Sequence, residues 1–482
     1  DIGASDRINA LLNNDWPAGS LLQFCLWAGP DVFGQTRGFM SRRQDKAVSQ
    51  EDSPTGRLLS AYTNSVVEFQ ERGASKPALA DSALLTRHQQ LIITCKIPAG
   101  GGVPSENLIR QAGSLRGMFE RGLRAAGIAS APMSAESFLH VAETLINWGP
   151  DASWRGNQAS VDPNAELRRQ IADYDIDLRV DADGLRLKDA VVKTMSCKRL
   201  PHSAFFGLSA AYLGDQKTGF RGIRENVLIA ATIHFPDGQK TRSGLERKRT
   251  WVVNQAYGPL TKFIPELQAR KTDFDALHDA MQGGDRPVQM YLGIALFGPT
   301  VEAAEAAVSN ARTYWSELGF QIMEDRHMHL PCFLNCLPFG ADREAIQPLF
   351  RYRTLATRQA IPLLPIFGDW PGTGRPDFLL TSRNGQPMNM SLYDSDASFN
   401  GVIAAQSGSG KSFLTNEIIS AYLSLGAQVW CIDVGGSYAK QVELYQGDML
   451  DFDAGREVCI NPFPRVADYG DEEDILTGLI MA

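Results

Sequence analysis

The spacing of apolar positions predicts alternating strands and helices over the first part of the chain. The runs SLLQFCLWAGP, from Ser20, and QQLIITCKIP, from Gln89, are typical of buried strands, and RLLSAYTNSVVEFQERG, from Arg57, has the spacing of a helix. Two more helices are predicted: ENLIRQAGSLRGMFERGLRAAG, which Gly127 would close, and SAESFLHVAETLINWG, which Ser134 would cap. This part of the chain is therefore predicted to be α+β.

The mixed pattern continues further along the chain. ENVLIAATIHFPDG and PVQMYLGIALFG are strand-like, and the second is followed by TVEAAEAAVSNARTYWSELGF, a predicted helix that Thr300 caps and Gly319 ends. The apolar run MHLPCFLNCLP is predicted as a last strand. Together these runs predict a strand–helix–strand unit.

A segment rich in proline and glycine indicates a domain boundary. In IPLLPIFGDWPGTGRPDF, from Ile361, four prolines and three glycines fall within fifteen residues, too many for the interior of a regular element. The boundary is placed at or just before it. Residues 1–350 are predicted to form an α+β domain, and residues 351–482 the first part of a second domain.

Composition and charge narrow the class of protein. The chain has 482 residues, 44% of them hydrophobic and 21% charged, which is enough for two or three buried cores. The absence of a long apolar run or an export signal predicts a cytoplasmic protein, and seven scattered cysteines favour reduced thiols. A net charge of −8 argues against a surface that coats nucleic acid, although an acidic motor can enclose a basic channel.

The clearest candidate chemistry lies in AQSGSGKS at residues 405–412. This string matches the phosphate-loop pattern, except that Ala405 stands where the first glycine usually does. FNGVIAA before it is predicted as a short strand, SFLTNEIISAYLSLG after it as a helix, and AQVWCIDVGG as the next buried strand. The expected structure is a βαβ unit with the loop at its first turn.

The residue types in this loop suit the binding of ATP and Mg²⁺. Gly408 and Gly410 would let backbone N–H groups converge on phosphate oxygens, at the positive end of the following helix. Lys411 would reach the β- and γ-phosphates, and the Ser412 hydroxyl would be a ligand of Mg²⁺. Asp433, after the next strand, either faces the nucleotide or caps a turn. The predicted ATP-binding residues are Gln406, Ser407, Gly408, Ser409, Gly410, Lys411, Ser412, Phe413 and Asp433, with Lys411 as the catalytic one.

Three strings occur in order after the long α+β region: AAQSGSGKSFLTNEI, VWCIDVGGSY and INPFP. In them the chain resembles the TraC-type conjugation ATPases of bacterial type IV secretion systems. The resemblance implies a RecA-like α/β P-loop NTPase domain, of which this chain holds the start, with the other hydrolytic residues beyond Ala482. It also implies a homo-hexamer, cytoplasmic and peripheral at the inner membrane, in which residues 1–350 are the docking and assembly domain. The expected partners are inner-membrane components and a pilin or secreted substrate. Whether nucleic acid is contacted directly stays open.

The function that this resemblance implies is that of an ATP-hydrolysing motor, which energises pilus biogenesis and conjugative transfer of DNA and protein. This chain alone is expected to be inactive as an ATPase. Two alternatives stay open: a DNA pump of the HerA or FtsK kind, and an assembly scaffold that nucleotide regulates.

Two weaker signals have structural interpretations that are favoured over functional ones. His327, His329, Cys332 and Cys336 lie close together, but their spacing matches no common zinc pattern, so an apolar strand with inward cysteines is favoured over a metal site. The basic run RKR beside Trp251 could contact DNA or acidic lipid, but a solvated loop is favoured.

Overall fold

The computed structural model describes residues 2–44, 46, 52–77, 83–101, 103–156, 160–219, 221–256, 265–452, 463, 466 and 468–481. Contacts divide the chain into two compact units. The first unit comprises Asp1–Arg42 and Asn64–Asn400, and the second comprises Arg43–Thr63 and Gly401–Ala482. The second unit is therefore built from two segments that are far apart in the sequence.

Within the described residues, the first unit is built around one antiparallel sheet of nine strands. Seven strands run in the order β2-β1-β6-β7-β5-β4-β3, β8 also pairs with β5, and β9 also pairs with β7. A separate hairpin joins β10 and β11. The strands are β1 (Leu21–Gly29), β2 (His88–Lys96), β3 (Leu178–Asp181), β4 (Gly184–Leu187), β5 (Ala190–Arg199), β6 (Asn226–His234), β7 (Pro287–Gly298), β8 (Gln321–Glu324), β9 (Arg353–Ala356), β10 (Phe378–Thr381) and β11 (Pro387–Met390).

Helices cover both faces of this sheet. Val227 and Ile229 of β6 belong to one core cluster and Leu228, between them, belongs to another, so successive side chains are buried on opposite faces. Burial on both faces explains why the central strands read as continuous apolar runs. The helices are α1 (Ile2–Leu12), α2 (Phe33–Gln44), α3 (Pro54–Ser75), α4 (Glu106–Ala125), α5 (Ala135–Ile146), α6 (Arg168–Ile171), α7 (Gly238–Ala256), α8 (Pro265–Gln282), α9 (Val301–Glu317), α10 (His329–Cys336), α11 (Thr357–Ala360), α12 (Lys411–Ser424), α13 (Ala439–Leu444) and α14 (Tyr469–Met481).

The predicted helix ends are confirmed where local hydrogen bonds set them. The Ser134 hydroxyl accepts a hydrogen bond from the Ser137 N–H at the start of α5, and Thr300 does the same for Ala303 at the start of α9. Gly127 follows α4 with φ +80°, a conformation that favours glycine. None of the described helices combines the length and the apolar character needed to cross a bilayer.

The prediction of a strand at MHLPCFLNCLP is wrong, because residues 329–336 form α10. His329, Cys332, Phe333 and Cys336 are buried, as is Asn335, and the spacings of three and four residues among the first four are those of a helix and not of a strand. The strand that follows α9 is instead β8, which pairs with β5.

The first unit continues beyond the predicted boundary at residue 350. β9 pairs with β7, and Ile361, Leu363 and Leu364 of the proline-rich segment are buried. The β10–β11 hairpin also belongs to this unit, which ends at Asn400. Independent folding of residues 1–350 stays a prediction.

The second unit is helical in its described residues, which do not form the predicted βαβ unit, and a RecA-like fold stays a prediction. The helix α12 forms as expected, but FNGVIAA and AQVWCIDVGG contain no strand, and Val402 and Ile432 are fully exposed. A buried parallel strand needs a neighbouring strand and cover on both faces. The described residues of this unit supply neither.

Candidate phosphate-binding site

The loop before α12 has the backbone conformation of an anion-binding turn. Gly408 and Gly410 have φ of +78° and +94°, and Gly410 is the N-terminal cap of the helix. A Cβ at either position would meet nothing within 4 Å, so the backbone conformation, and not lack of space, is what calls for glycine. The Ser409 hydroxyl donates to the Gln406 carbonyl oxygen at 2.6 Å, which closes the turn.

The N-terminal end of α12 is open to a ligand. No side chain caps the helix at Gly410, so its first N–H groups, which lack partners within the helix, are available to an anion. Residues 401–411 are exposed, and Lys411 is the first residue of the helix. Within the described part of the chain, Lys411 forms no ion pair with a carboxylate. The geometry suits the binding of phosphate by backbone N–H groups and one lysine.

The other predicted site residues lie around this end of the helix or follow it. Ser412 is partly buried beside Lys411, and the Phe413 ring is 77% exposed. The Asp433 carboxylate accepts a hydrogen bond from the Tyr438 N–H at 3.2 Å, just before α13. This is the turn-capping interaction, and contact of Asp433 with a nucleotide stays a prediction. Most of INPFP lies outside the described residues.

No sequence pattern identifies the residues that contact the middle and the C-terminal end of α12. Arg43 and Tyr62 both make hydrogen bonds to this helix within the second unit. Neither belongs to a motif, and each lies more than 300 residues before the helix in the sequence. Only a signal of spatial contact between Arg43–Thr63 and α12 could have identified these two residues.

Of the His and Cys cluster at residues 327–336, His329, Cys332 and Cys336 are buried in the first unit, whereas His327 is exposed. The His329 Nδ1 accepts the Thr194 N–H at 3.0 Å, and Cys332 and Cys336 are fully buried on α10. Across the residues that the structure describes, no group of three or more His, Cys, Asp or Glu side chains could hold a metal ion. Absence of a bound metal in the protein stays a prediction.

The basic run at residues 247–249 lies in α7, so the prediction of a loop there is wrong. Arg249 forms an ion pair with Asp275 of α8 at 2.8 Å. Trp251 is 59% exposed on the same helix. This part of α7 is a solvated helix face, because Arg247, Lys248 and Trp251 are all exposed.

Thiol reactivity is expected to differ sharply among the cysteines. Cys431 is exposed, whereas Cys25 and Cys336 are buried and burial raises the pKa of both thiols. Burial also raises the pKa of Cys332 to about 12. We expect a maleimide to modify Cys431 at least about a hundredfold faster than these three in the folded protein, as measured by peptide mass spectrometry. Denatured protein is the control, and equal rates in the folded state would contradict the buried placement.

The comparisons with known proteins match two consecutive regions of the chain. The family described as TraC protein matches residues 3–341, and the family described as TraG P-loop domain matches residues 377–481. Protein TraC of Escherichia coli is 23% identical over 385 residues, which cover 75% of this chain and 42% of that protein. The chain thus spans less than half the length of this relative.

The P-loop match includes the exposed loop and α12, and the TraC match includes β1 to β8. The chain therefore belongs to the family of TraC-type conjugative transfer proteins and carries a P-loop domain of the TraG type.

Proposed function

We propose that this protein is an ATP-hydrolysing motor subunit of a type IV secretion system, which energises pilus biogenesis and conjugative transfer of DNA and protein. The observation that carries the proposal is the exposed turn at residues 406–410, with Gly408 and Gly410 in the left-handed region and Lys411 at the start of α12. Membership of the TraC family and the P-loop match support the same role.

Each residue of the loop has a distinct role in this proposal. The open N–H groups at the start of α12 bind phosphate oxygens, and the positive end of the helix favours their charge. Lys411 neutralises charge on the β- and γ-phosphates, and the Ser412 hydroxyl holds Mg²⁺, as in P-loop enzymes. Mg²⁺, when bound, would supply further charge neutralisation at the transferred phosphoryl group.

The exposed apolar runs on either side of α12 support a RecA-like fold for the complete domain. Val402, Ile432 and Val434 are almost fully exposed, although their sequence is typical of buried strands. We propose that both runs become neighbouring strands of a parallel sheet in the complete domain. The loop would then lie at the carboxyl end of the first strand, where α/β sheets bind ligands.

The assembly and location follow from the family and are proposed on that basis. We propose a homo-hexamer in the cytoplasm, peripheral at the inner membrane, where the first unit contacts inner-membrane components of the secretion machinery. A pilin or secreted protein is the proposed substrate. The nine-stranded sheet with helices on both faces gives the first unit a core of its own, as a docking domain requires.

The experiment that tests this function measures ATP turnover by the full-length protein, with and without duplex DNA, and pilus formation in cells. We expect turnover that duplex DNA does not stimulate, and loss of pili when turnover is abolished. Strong stimulation by duplex DNA would favour a DNA pump. Binding to the membrane components together with normal pilus formation after loss of hydrolysis would favour a nucleotide-regulated scaffold.

A further inference from the structure

The two ends of α12 lie in different environments. The loop and Lys411 at its N-terminal end are exposed, but Ser420, Ala421 and Ser424 in its second half are buried. Buried hydroxyl and carbonyl groups are costly unless they are hydrogen-bonded. The side chains that form hydrogen bonds with these buried groups therefore fix the position of α12.

Arg43 contacts the C-terminal end of α12 and is only 2% exposed. Its Nε donates to the Ser424 Oγ at 2.8 Å, and a terminal nitrogen donates to the Ala421 carbonyl oxygen at 3.3 Å. The last four carbonyl groups of a helix have no partner within it, and a positive charge there also interacts favourably with the helix dipole. Arg43 is thus a cap for α12 supplied by a distant part of the sequence.

Tyr62 contacts the middle of the same helix. Its hydroxyl donates to the Glu417 Oε1 at 2.6 Å. Burial, and then the Glu417 carboxylate, raise the pKa of Tyr62, so the hydroxyl keeps its proton at neutral pH. Glu417 is six positions after Lys411, about 9 Å along the helix axis. A bond at Glu417 therefore acts on the phosphate-binding end through less than two helical turns.

The neighbouring helix α13 makes further polar contacts to α12. The Gln441 side chain donates to the Asn416 carbonyl oxygen at 2.8 Å and to the Ser420 Oγ at 3.0 Å. The Tyr445 hydroxyl donates to the Ser420 Oγ at 3.0 Å. Residues that precede α12 in the sequence and residues that follow it therefore both form hydrogen bonds with this helix.

We propose that Arg43 and Tyr62 are positioning residues for the phosphate loop. This inference rests on the proposed nucleotide function of that loop. The two side chains fix the axial and rotational position of α12, and hence of its first N–H groups and of Lys411.

Positional errors at a phosphate site are costly, since a misplacement of about 1 Å can reduce the rate about a hundredfold. Tyr62→Phe removes only the hydroxyl, and Arg43→Gln removes the charge. For each variant of the full-length protein we expect Kd for a fluorescent, non-hydrolysable ATP analogue with Mg²⁺, and KM for ATP, to rise about three- to tenfold. The number of binding sites per chain should stay unchanged. Tyr174→Phe, at a fully exposed tyrosine, is the matched control and should leave both constants unchanged.

A purely structural role would give a different result. Loss of folded protein would reduce the number of binding sites and kcat per total protein, with Kd and KM unchanged, and this outcome would overturn the positioning role. Glu417→Gln keeps an acceptor for the Tyr62 hydroxyl, so we expect a smaller rise in Kd than for Glu417→Ala. An equal rise in Kd for these two substitutions would also overturn the positioning role.

The same measurements separate this inference from the proposed function. If the wild-type protein does not bind the analogue, or if Lys411→Ala binds it as tightly as wild type does, the proposed function itself fails. If binding depends on Lys411 while Arg43→Gln and Tyr62→Phe leave Kd and KM unchanged, only the positioning role fails.

Discussion

Lys411→Ala is expected to reduce ATP hydrolysis by the full-length protein by about 10²–10³-fold, the usual effect of removing one preorganised electrostatic contact to the transition state. Phosphoryl transfer depends on positioning and charge stabilisation, and Lys411 is the cation at the start of α12. The fold should survive, because loss of an exposed side chain at this position costs no more than about 1 kcal/mol. ATP turnover in solution and pilus formation in cells are the measurements.

The matched control for this variant is Lys440→Ala, since Lys440 is an exposed lysine on α13 in the same unit. It changes the net charge by the same amount and should retain normal turnover. Normal turnover or normal pilus formation by Lys411→Ala would contradict the motor function and would favour a nucleotide-regulated assembly scaffold. Unfolding of Lys411→Ala, detected by circular dichroism, would contradict the exposed placement of this side chain.

Trp315→Ala is expected to destabilise the first unit by about 3–5 kcal/mol, the usual cost of truncating a buried aromatic side chain. Trp315 is fully buried in α9, its ring centroid is 4.6 Å from that of Tyr212, and its Nε1 donates to the Tyr212 carbonyl oxygen. The substitution removes this packing and leaves a buried carbonyl oxygen without that donor. The midpoint of urea unfolding, followed by circular dichroism, measures the effect.

Trp251→Ala is the control for this prediction, because the Trp251 ring on α7 is largely exposed. The same change of residue type should alter stability by no more than about 0.5 kcal/mol there. Similar shifts of the urea midpoint in the two variants would contradict the core position of Trp315.

The elements that the sequence predicts correctly are those specified by local interactions. β1, β2, β6 and β7 each contain a run of apolar residues. α5 and α9 begin at hydroxyl caps that accept hydrogen bonds from N–H groups only three residues away. β5 has no such signal, because it buries Lys193, Thr194 and Ser196. Lys193 is buried against Glu324 of β8, at 3.2 Å. Burial of a polar strand depends on partners that only the folded chain brings close.

The candidate site shows the same division between local and distant interactions. The loop residues could be predicted because their conformation depends on glycine and on the start of α12, all within a few residues. The contacts of Arg43 and Tyr62 could not, since they join segments that no local pattern connects. The apolar content of the flanking runs predicts strands, but a strand also needs a neighbour with which to form hydrogen bonds.

The discontinuous second unit has a consequence for synthesis on the ribosome. The segment that carries Arg43 and Tyr62 is made on the order of 340 residues before Gly401, where the rest of the unit begins. At about 5–20 residues per second, this separation corresponds to roughly 20–70 s. All nine strands of the large sheet are complete within that time, but the helix that covers Arg43 has not been translated. We therefore expect the first unit to fold while the Arg43–Thr63 segment still lacks its helical partner, and nucleotide binding to appear only after α12 has been translated.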